Sequence, residues 1–358
     1  MVEWATVGAD TDVCPQLLSD SVAQADARSD TVVRKESIWK RVSDKLGVRY
    51  YSSKYDTAYV MRPEGKGLTL KVRMNQTGNT FHAKGTVDGI HSKADLSTSH
   101  KTTFSVAANY RGLGVGIAIN PAKWKGIYDD YEFNLNYYSR RLSLDLSYQR
   151  SESLAGDIHD DRGDRSLETG DLTLKVLNVA GYYTFNHRRF SYPAAFTQSY
   201  IQRRSAGSWL AGISYQGGSI ETNDELKEHK PDAPDVKIEI RHLGIGGGYG
   251  YNWVPSKRWL LHISFLPTFV VYKHNKVTIN DDLQKSKYLN FNMIFNERAA
   301  IIYYFSVKGD LKSVKGDLKS PRYFVGATLV MNNSVFDNDK VTVNQNKWRA
   351  RAFLGMRF

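Results

Sequence analysis

The sequence has no apolar run near the roughly 18–20 residues that a membrane-crossing helix needs, and its mean hydropathy is −0.47. A helical membrane protein is excluded. A membrane β-barrel is not, because its strands are only half apolar. Cys14 is the one cysteine, so no internal disulfide framework forms. Its neighbours in TDVCP lack the small apolar residues expected before a lipid-modified cysteine. The N-terminus has no basic start followed by an apolar core, so it is not a secretory signal peptide. Prolines are few, at nine. No histidines show HxxxH or HExxH spacing, and no GxSxG elbow is present. No metal and no cofactor is expected. The net charge of +12 comes from lysines and arginines spread along the chain without a dense block, so nucleic acid is not the expected partner.

What is present is a period of two. Residues 1–35 are polar, low in aromatics and expected to be disordered. ESIWKRVSDKLGVR (36–49) suits one short amphipathic helix, so 36–65 reads as a periplasmic helix and lead-in. From 66 to 358 apolar residues alternate with small polar ones, as in GLTLKVRMN, TFSVAANY, YEFNLNYY, RLSLDLSY and the closing KWRARAFLGMRF. Side chains alternate across a strand, so each segment has one greasy and one polar face. Short turns (RG, SRR, PSKR) alternate with long polar connections such as GIHSKADLSTSHK and SESLAGDIHDDRGDRSLETGD. Tyrosines and tryptophans, Tyr304 among them, gather at strand ends. Together these predict an all-β fold: an antiparallel transmembrane β-barrel of about 12 strands, its greasy faces in lipid. The apolar register slips near Thr77–Asn79, which reads as a bulge in a long first strand, and again near Asn296–Arg298. SVKGDLK occurs twice in tandem within 306–319 and reads as a duplication in a tolerant turn.

Barrel closure places the first strand beside the last. Lys71 and Arg73 then share a lumen wall with Arg349, Arg351 and Arg357. Five crowded cations repel one another unless acids or anions compensate. Glu132, Asp145, Glu239 and Glu297 are the expected lumen acids. An ion-pair network filling a narrow lumen is one reading; an anion-selective lining, or a site for an acidic ligand such as a lipid phosphate, is the other. DIHDDRGD gathers Asp157, Asp160, Asp161 and Asp164 but lacks calcium-loop spacing and reads as a solvated acidic loop. Ser264 lies two residues from His262 on the face expected to be the lumen, with no identifiable orienting acid. An enzyme is not expected. A lipid-modifying barrel hydrolase is the alternative, and a soluble β-barrel binding a hydrophobic ligand is a further one.

The least generic stretch is SYPAAFTQSYIQRRSAGSW, with Tyr192, Pro193, Gln198, Ser199, Arg203 and Arg204. It sits in a connection too long for a short turn and reads as a packed plug or a docking surface for a periplasmic partner. Together with YDTAYVMRP (Tyr55, Asp56 and Thr57 at its start) and LTLKVRMNQTG, it resembles an uncharacterised family of Bacteroidota outer-membrane proteins, known only as a domain of unknown function. The resemblance covers roughly 36–358. It implies an outer-membrane β-barrel in a Gram-negative bacterium and no particular activity. The expected role is structural or transport-related, porin-like in form, with outer-membrane lipids and the barrel-assembly machinery as partners. The terminal Phe358 resembles the assembly signal of such barrels.

Overall fold

The computed structural model describes Asp44 and residues 54–65, 67–87, 89–111, 113–119, 131–161, 163–229, 235–280, 282–284, 292–305, 321–337 and 341–358. The chain divides into Met1–Ser52 and Ser53–Phe358, and every described strand belongs to the second unit. The expected disordered segment, the helix at 36–49 and the SVKGDLK duplication lie outside the described residues.

A two-residue strand, β1 (Val60–Met61), precedes β2 (Leu68–Val87), β3 (Ile90–Thr98), β4 (Lys101–Tyr110), β5 (Leu113–Ile119), β6 (Tyr131–Tyr138), β7 (Leu142–Asp160) and β8 (Gly163–Thr184). A short helix, α1 (Tyr192–Phe196), and β9 (Ile201–Gln202) follow, then β10 (Ala206–Thr222) and helix α2 (Asp224–His229). The chain ends with β11 (Val236–Ser256), β12 (Trp259–Ile279), β13 (Asp282–Gln284), β14 (Met293–Phe305), β15 (Tyr323–Asp337) and β16 (Val341–Arg357). Among the described residues, β2, β4, β5, β6, β7, β8, β10, β11, β12, β14, β15 and β16 pair antiparallel in that order, and β16 pairs back onto β2. Twelve strands thus close a ring, and the seam between first and last runs unbroken from Arg357↔Thr69 to Val341↔Gly85.

Toward the short turns the barrel is apolar outside, and much of its inner face is polar. Val72, Val106, Leu142, Trp209, Ile263 and Leu354 stand exposed on the outer wall, while Lys71, Asn75, Ser105, Ser143 and Ser264 are buried within. Lipid replaces the usual core as the apolar phase. Trp253 and Trp259 mark the short-turn rim, and Tyr131 and Tyr272 stand outward toward the long-loop end. Tyr304, expected in this girdle, is instead buried in the lumen, 5.0 Å from the Arg357 guanidinium.

Near the long loops the polarity inverts. Phe81, Leu154, Leu172, Leu174 and Val176 form a buried cluster on the inner face, with Leu96, Leu167 and Ile220 packed against it. All of these but Leu154 line an apolar cavity of ≈ 790 Å³. This corrects the expected bulge at Thr77–Asn79. The β2–β16 pairing shows no register shift there, and odd residues face inward throughout, from Lys71 to Phe81. What slips is the solvent: β2 leaves lipid for water at that height, so the greasy side moves inside. Pairing is likewise continuous at Asn296–Arg298, where the inner face of β14 turns apolar toward the short-turn end. The same inversion explains why the long connections are largely strand. SESLAGDIHDDRGDRSLETGD belongs almost wholly to β7 and β8, but its outer face is polar and hides the alternation.

β3 reshapes this upper half. The lower half of β2 pairs with β4, and Thr80–Val87 pairs with β3. The other edge of β3 pairs with Leu154–Asp160 of β7. At that level the wall skips β4, β5 and β6. The carboxylates of the β7–β8 tip have partners: Asp160 pairs with Arg165, Asp161 accepts from the His91 N–H at 2.8 Å, and Asp164 accepts from His159 at 2.8 Å. No group of three or more metal-ligating side chains occurs among the described residues.

Two outcomes test this division. Val72→Arg, on the lipid face, should cost about 2–4 kcal/mol, whereas Thr80→Arg, on the same face of β2 but beyond the lipid, should change stability by less than about 0.5 kcal/mol. The temperature at which the folded gel band converts to the unfolded one reads both. At the tip, the hydrogen bond and charge of Asp164 raise the His159 pKa. The pair therefore adds stability at acid pH, and that contribution is lost as pH rises through the raised value. Asp164→Asn should lower the His159 midpoint in an NMR titration.

Candidate functional site

The short-turn end is closed by the segment between β8 and β10. Ser191 caps α1, its hydroxyl accepting from the Ala194 N–H at 3.3 Å, with proline in the first turn. α1 lies inside the barrel: Tyr192, Pro193, Ala194 and Ala195 are buried, and Tyr192 packs with Tyr138, Tyr182 and Phe190. Thr197 donates from both N–H and hydroxyl to the Pro193 carbonyl, and Ser199 donates to the Thr197 hydroxyl at 2.9 Å. Gln198 has a positive φ of 55°. That turn lets it serve two lumen cations: its side chain accepts from Lys71, and its carbonyl accepts from Arg357 Nε at 2.8 Å. Lys71 also donates to the Phe196 carbonyl at 3.1 Å.

The two motifs that carried the family resemblance meet here. Val60 and Met61 pair with Gln202 and Ile201, so β1 and β9 form a small sheet. Tyr55 packs on Tyr200 at 4.9 Å and shares a hydrogen bond with Ser191 at 3.3 Å. Asp56 lies 3.5 Å from Arg189, the Thr57 carbonyl accepts from Arg203 at 3.5 Å, and Arg204 lies over the Tyr59 ring. Lead-in and plug form one clasp.

Above the plug is a cavity of ≈ 330 Å³. Six cationic side chains line it (Lys71, Arg73, Lys101, Arg298, Arg349 and Arg351) against two carboxylates, Glu132 and Asp145. Arg298 holds Asp145 at 2.5 Å and donates to Tyr138 at 3.0 Å and Tyr182 at 2.5 Å. Tyr138 and Asn136 donate to the same carboxylate. Arg349 pairs with Glu132 and donates to Ser147 at 2.9 Å. Arg73 and Arg351 have no acidic partner among the described residues, and the Nε of each is buried without a hydrogen bond. A belt spans the barrel above the cavity: Gln216 donates to Gln345, which donates to Asn79 at 3.1 Å, and all three are buried.

Two expected lumen acids lie elsewhere. Glu239 is on the outer face of β11, beside Lys237 at 3.4 Å and Arg241 at 4.0 Å, because its neighbour His242 takes the inner face. Glu297 pairs in register with the outward Phe265 while Asn296 points inward, so it too faces out.

His262 and Ser264 are joined at 3.0 Å, and His262 donates through Nδ1 to Asn252 Oδ1 at 2.7 Å. Asn252 also donates to the Ser191 carbonyl and to Gln202, both at 3.0 Å, and Tyr192 donates to Ser264 at 2.9 Å. Phe190, Tyr192 and Phe196 surround the imidazole at 5.0–5.9 Å. The Ser–His–Asn chain has hydrolase spacing, but both its ends are tied to the plug, and Ser264 is 4% exposed.

The family model described as Domain of unknown function (DUF4421) matches residues 54–358. The chain belongs to that family. Its fold is similar to that of the outer membrane protease OmpT from Escherichia coli (TM-score 0.41, 8% identity, 81% of this chain and 96% of that one). It is also similar to OprG from Pseudomonas aeruginosa (TM-score 0.29, 10% identity, 83% and 98%) and to an outer membrane channel from Pseudomonas putida F1 (TM-score 0.27, 10% identity, 83% and 97%). No curated protein matches the chain.

Sequence reasoning missed Arg298 and Asn252. Arg298 sits where the alternation of β14 changes sign, so its face was ambiguous. Asn252 carried no signal, because its partners come from the adjacent strand and from the plug. Arg298→Ala should leave Asp145 buried without its cation and cost about 3–5 kcal/mol. The double variant Arg298→Met/Asp145→Asn should recover much of that loss, read by the temperature at which the folded gel band disappears.

Proposed function

We propose that this DUF4421 barrel is a transport-related outer-membrane protein that takes an anionic ligand into its lumen, with the α1 segment closing the periplasmic end. The observation that carries the reading is the surplus of four cationic side chains in an enclosed cavity, with two arginines lacking any acidic partner among the described residues. Like charges this close repel unless an anion sits between them, and paired guanidinium groups suit oxyanions. Short turns then face the periplasm and the long strand extensions face outward, in a Bacteroidota outer membrane as the family resemblance implies. The Ser264–His262–Asn252 chain is read as a clamp that fixes the plug, and the barrel as not an enzyme. The lead-in and plug surface is the docking face for any periplasmic partner.

Planar-bilayer recording tests this reading. The wild-type barrel should conduct little. Removing 192–199 should open it and give an anion-selective current, and Arg73→Glu/Arg351→Glu in that background should shift selectivity toward cations. Cation selectivity that ignores the charge reversal would overturn the reading. So would phospholipid hydrolysis by the purified protein that disappears in Ser264→Ala.

A further inference from the structure

The inner face of the upper barrel surrounds a space that its own side chains do not fill. Residues directly opposite one another in paired strands share a face of the sheet. One row on the inner face runs Phe336↔Val343↔Ala83↔Ala94, across β15, β16, β2 and β3. A second runs Leu174↔Ile220↔Ile238, across β8, β10 and β11. Phe336 and Leu174, one from each row, are buried. Both rows are apolar throughout, and every residue in them borders the cavity of ≈ 790 Å³. Leu226 of α2 is also buried and borders it.

A packed core holds few voids larger than a water molecule, whereas this space falls within the roughly 300–1,000 Å³ of small-molecule sites. Two alanines side by side in the first row, Ala83 and Ala94, help to keep it open. Its chemistry is neutral. Of the charged residues on its border, Arg165 pairs with Asp160, Lys175 with Glu221 at 3.0 Å, and Asp337 accepts from the Thr342 hydroxyl at 2.6 Å. Gln345, Asn275 and Thr222, also on the border, carry no charge. The basic chamber has the opposite character, and the division between the two is one hydrogen bond wide. Gln345 borders the apolar space, Gln216 borders the basic one, and Gln216 donates to Gln345.

We propose that the upper cavity is a second binding site, for an uncharged and largely aliphatic small molecule. Its apolar body lies between the two rows, against Phe336 and Val343 on one side and Leu174, Ile220 and Ile238 on the other. A hydroxyl or carbonyl group on the ligand is tolerated beside Gln345, Asn275 or Thr222, but a charge is not, because it would lose its water and gain no counter-charge. The proposal does not depend on the anion reading, which concerns the chamber on the other side of the Gln216–Gln345 bond.

The test uses the full chain in nanodiscs and a 1-decanol carrying a photoactivatable diazirine on its alkyl chain, with the labelled residues mapped by peptide mass spectrometry. The wild type should be labelled on the inner face, at Phe81, Leu174, Ile238 and Phe336, as well as on the lipid face at Val72 and Ile263. Excess unlabelled 1-decanol should remove the inner-face labelling, and excess decanoate should not. Ala83→Leu/Ala94→Leu, which fills the space, should reduce inner-face labelling about tenfold or more, since each methylene denied burial weakens binding about fourfold. Lipid-face labelling should be unchanged in that variant, which shows that the barrel still forms; the single variant Ala83→Leu, read in the same way, replaces it if it does not. Wild-type labelling confined to the lipid face overturns the site, and so does inner-face labelling that survives filling. Competition by decanoate equal to that by decanol overturns the uncharged class. Each of these results leaves the anion reading standing.

Discussion

A strand in lipid has nowhere to send its N–H and C=O groups except to another strand. That constraint closes the ring, and the rest of the molecule is arranged around it. The seam between β2 and β16 is the point of closure, and it is the most continuous stretch of pairing that the N-terminal part of the sheet possesses. Because closure places Lys71 and Arg73 beside Arg349, Arg351 and Arg357, the same hydrogen bonds that make the barrel also make its charge problem. Each cation is answered differently. Lys71 and Arg357 are spent on carbonyl oxygens of the plug, Arg349 on Glu132 across the lumen, and Arg298 from β14 on Asp145. Arg73 and Arg351 are left facing the cavity.

The plug is held by the same polar lumen that it closes. Its helix is too short to be stable alone, and its position comes from contacts with the wall: Tyr192 to Ser264, the Ser191 carbonyl to Asn252, and Gln198 to two cations. Such directional, buried hydrogen bonds fix orientation better than apolar packing alone, and stacked rings around His262 fill the space between them. The Ser264–His262–Asn252 chain is part of this set of contacts between wall and plug.

Much of the barrel was legible because lipid imposes a strict period of two. Leu68 to Asn75 and Trp348 to Phe358 declare both faces, and the five basic lumen residues follow from parity. Legibility failed where the surroundings changed while the backbone did not. Phe81 and Leu174 face inward in step with Lys71 and Asn178, but their polarity is reversed, so strands read as loops and a change of solvent read as a bulge. Glu239 and Glu297 failed for a related reason: a charge on the outer wall, even one in register with the outward Phe265 as Glu297 is, looks by alternation alone like a charge in the lumen. Asn252 and the β1–β9 clasp depend on segments far apart in sequence, whose proximity no local pattern encodes.

The clasp carries a consequence for how the molecule is made. β1 lies before the first barrel strand and β9 lies midway through the chain, so their pairing closes a loop of chain that contains β2 to β8. Arg357, which also grips the plug, arrives last of all. The floor of the barrel therefore joins three distant parts of the chain, the lead-in through β1, the plug through β9 and the last strand through Arg357, so that a change in any one of them is felt by the other two.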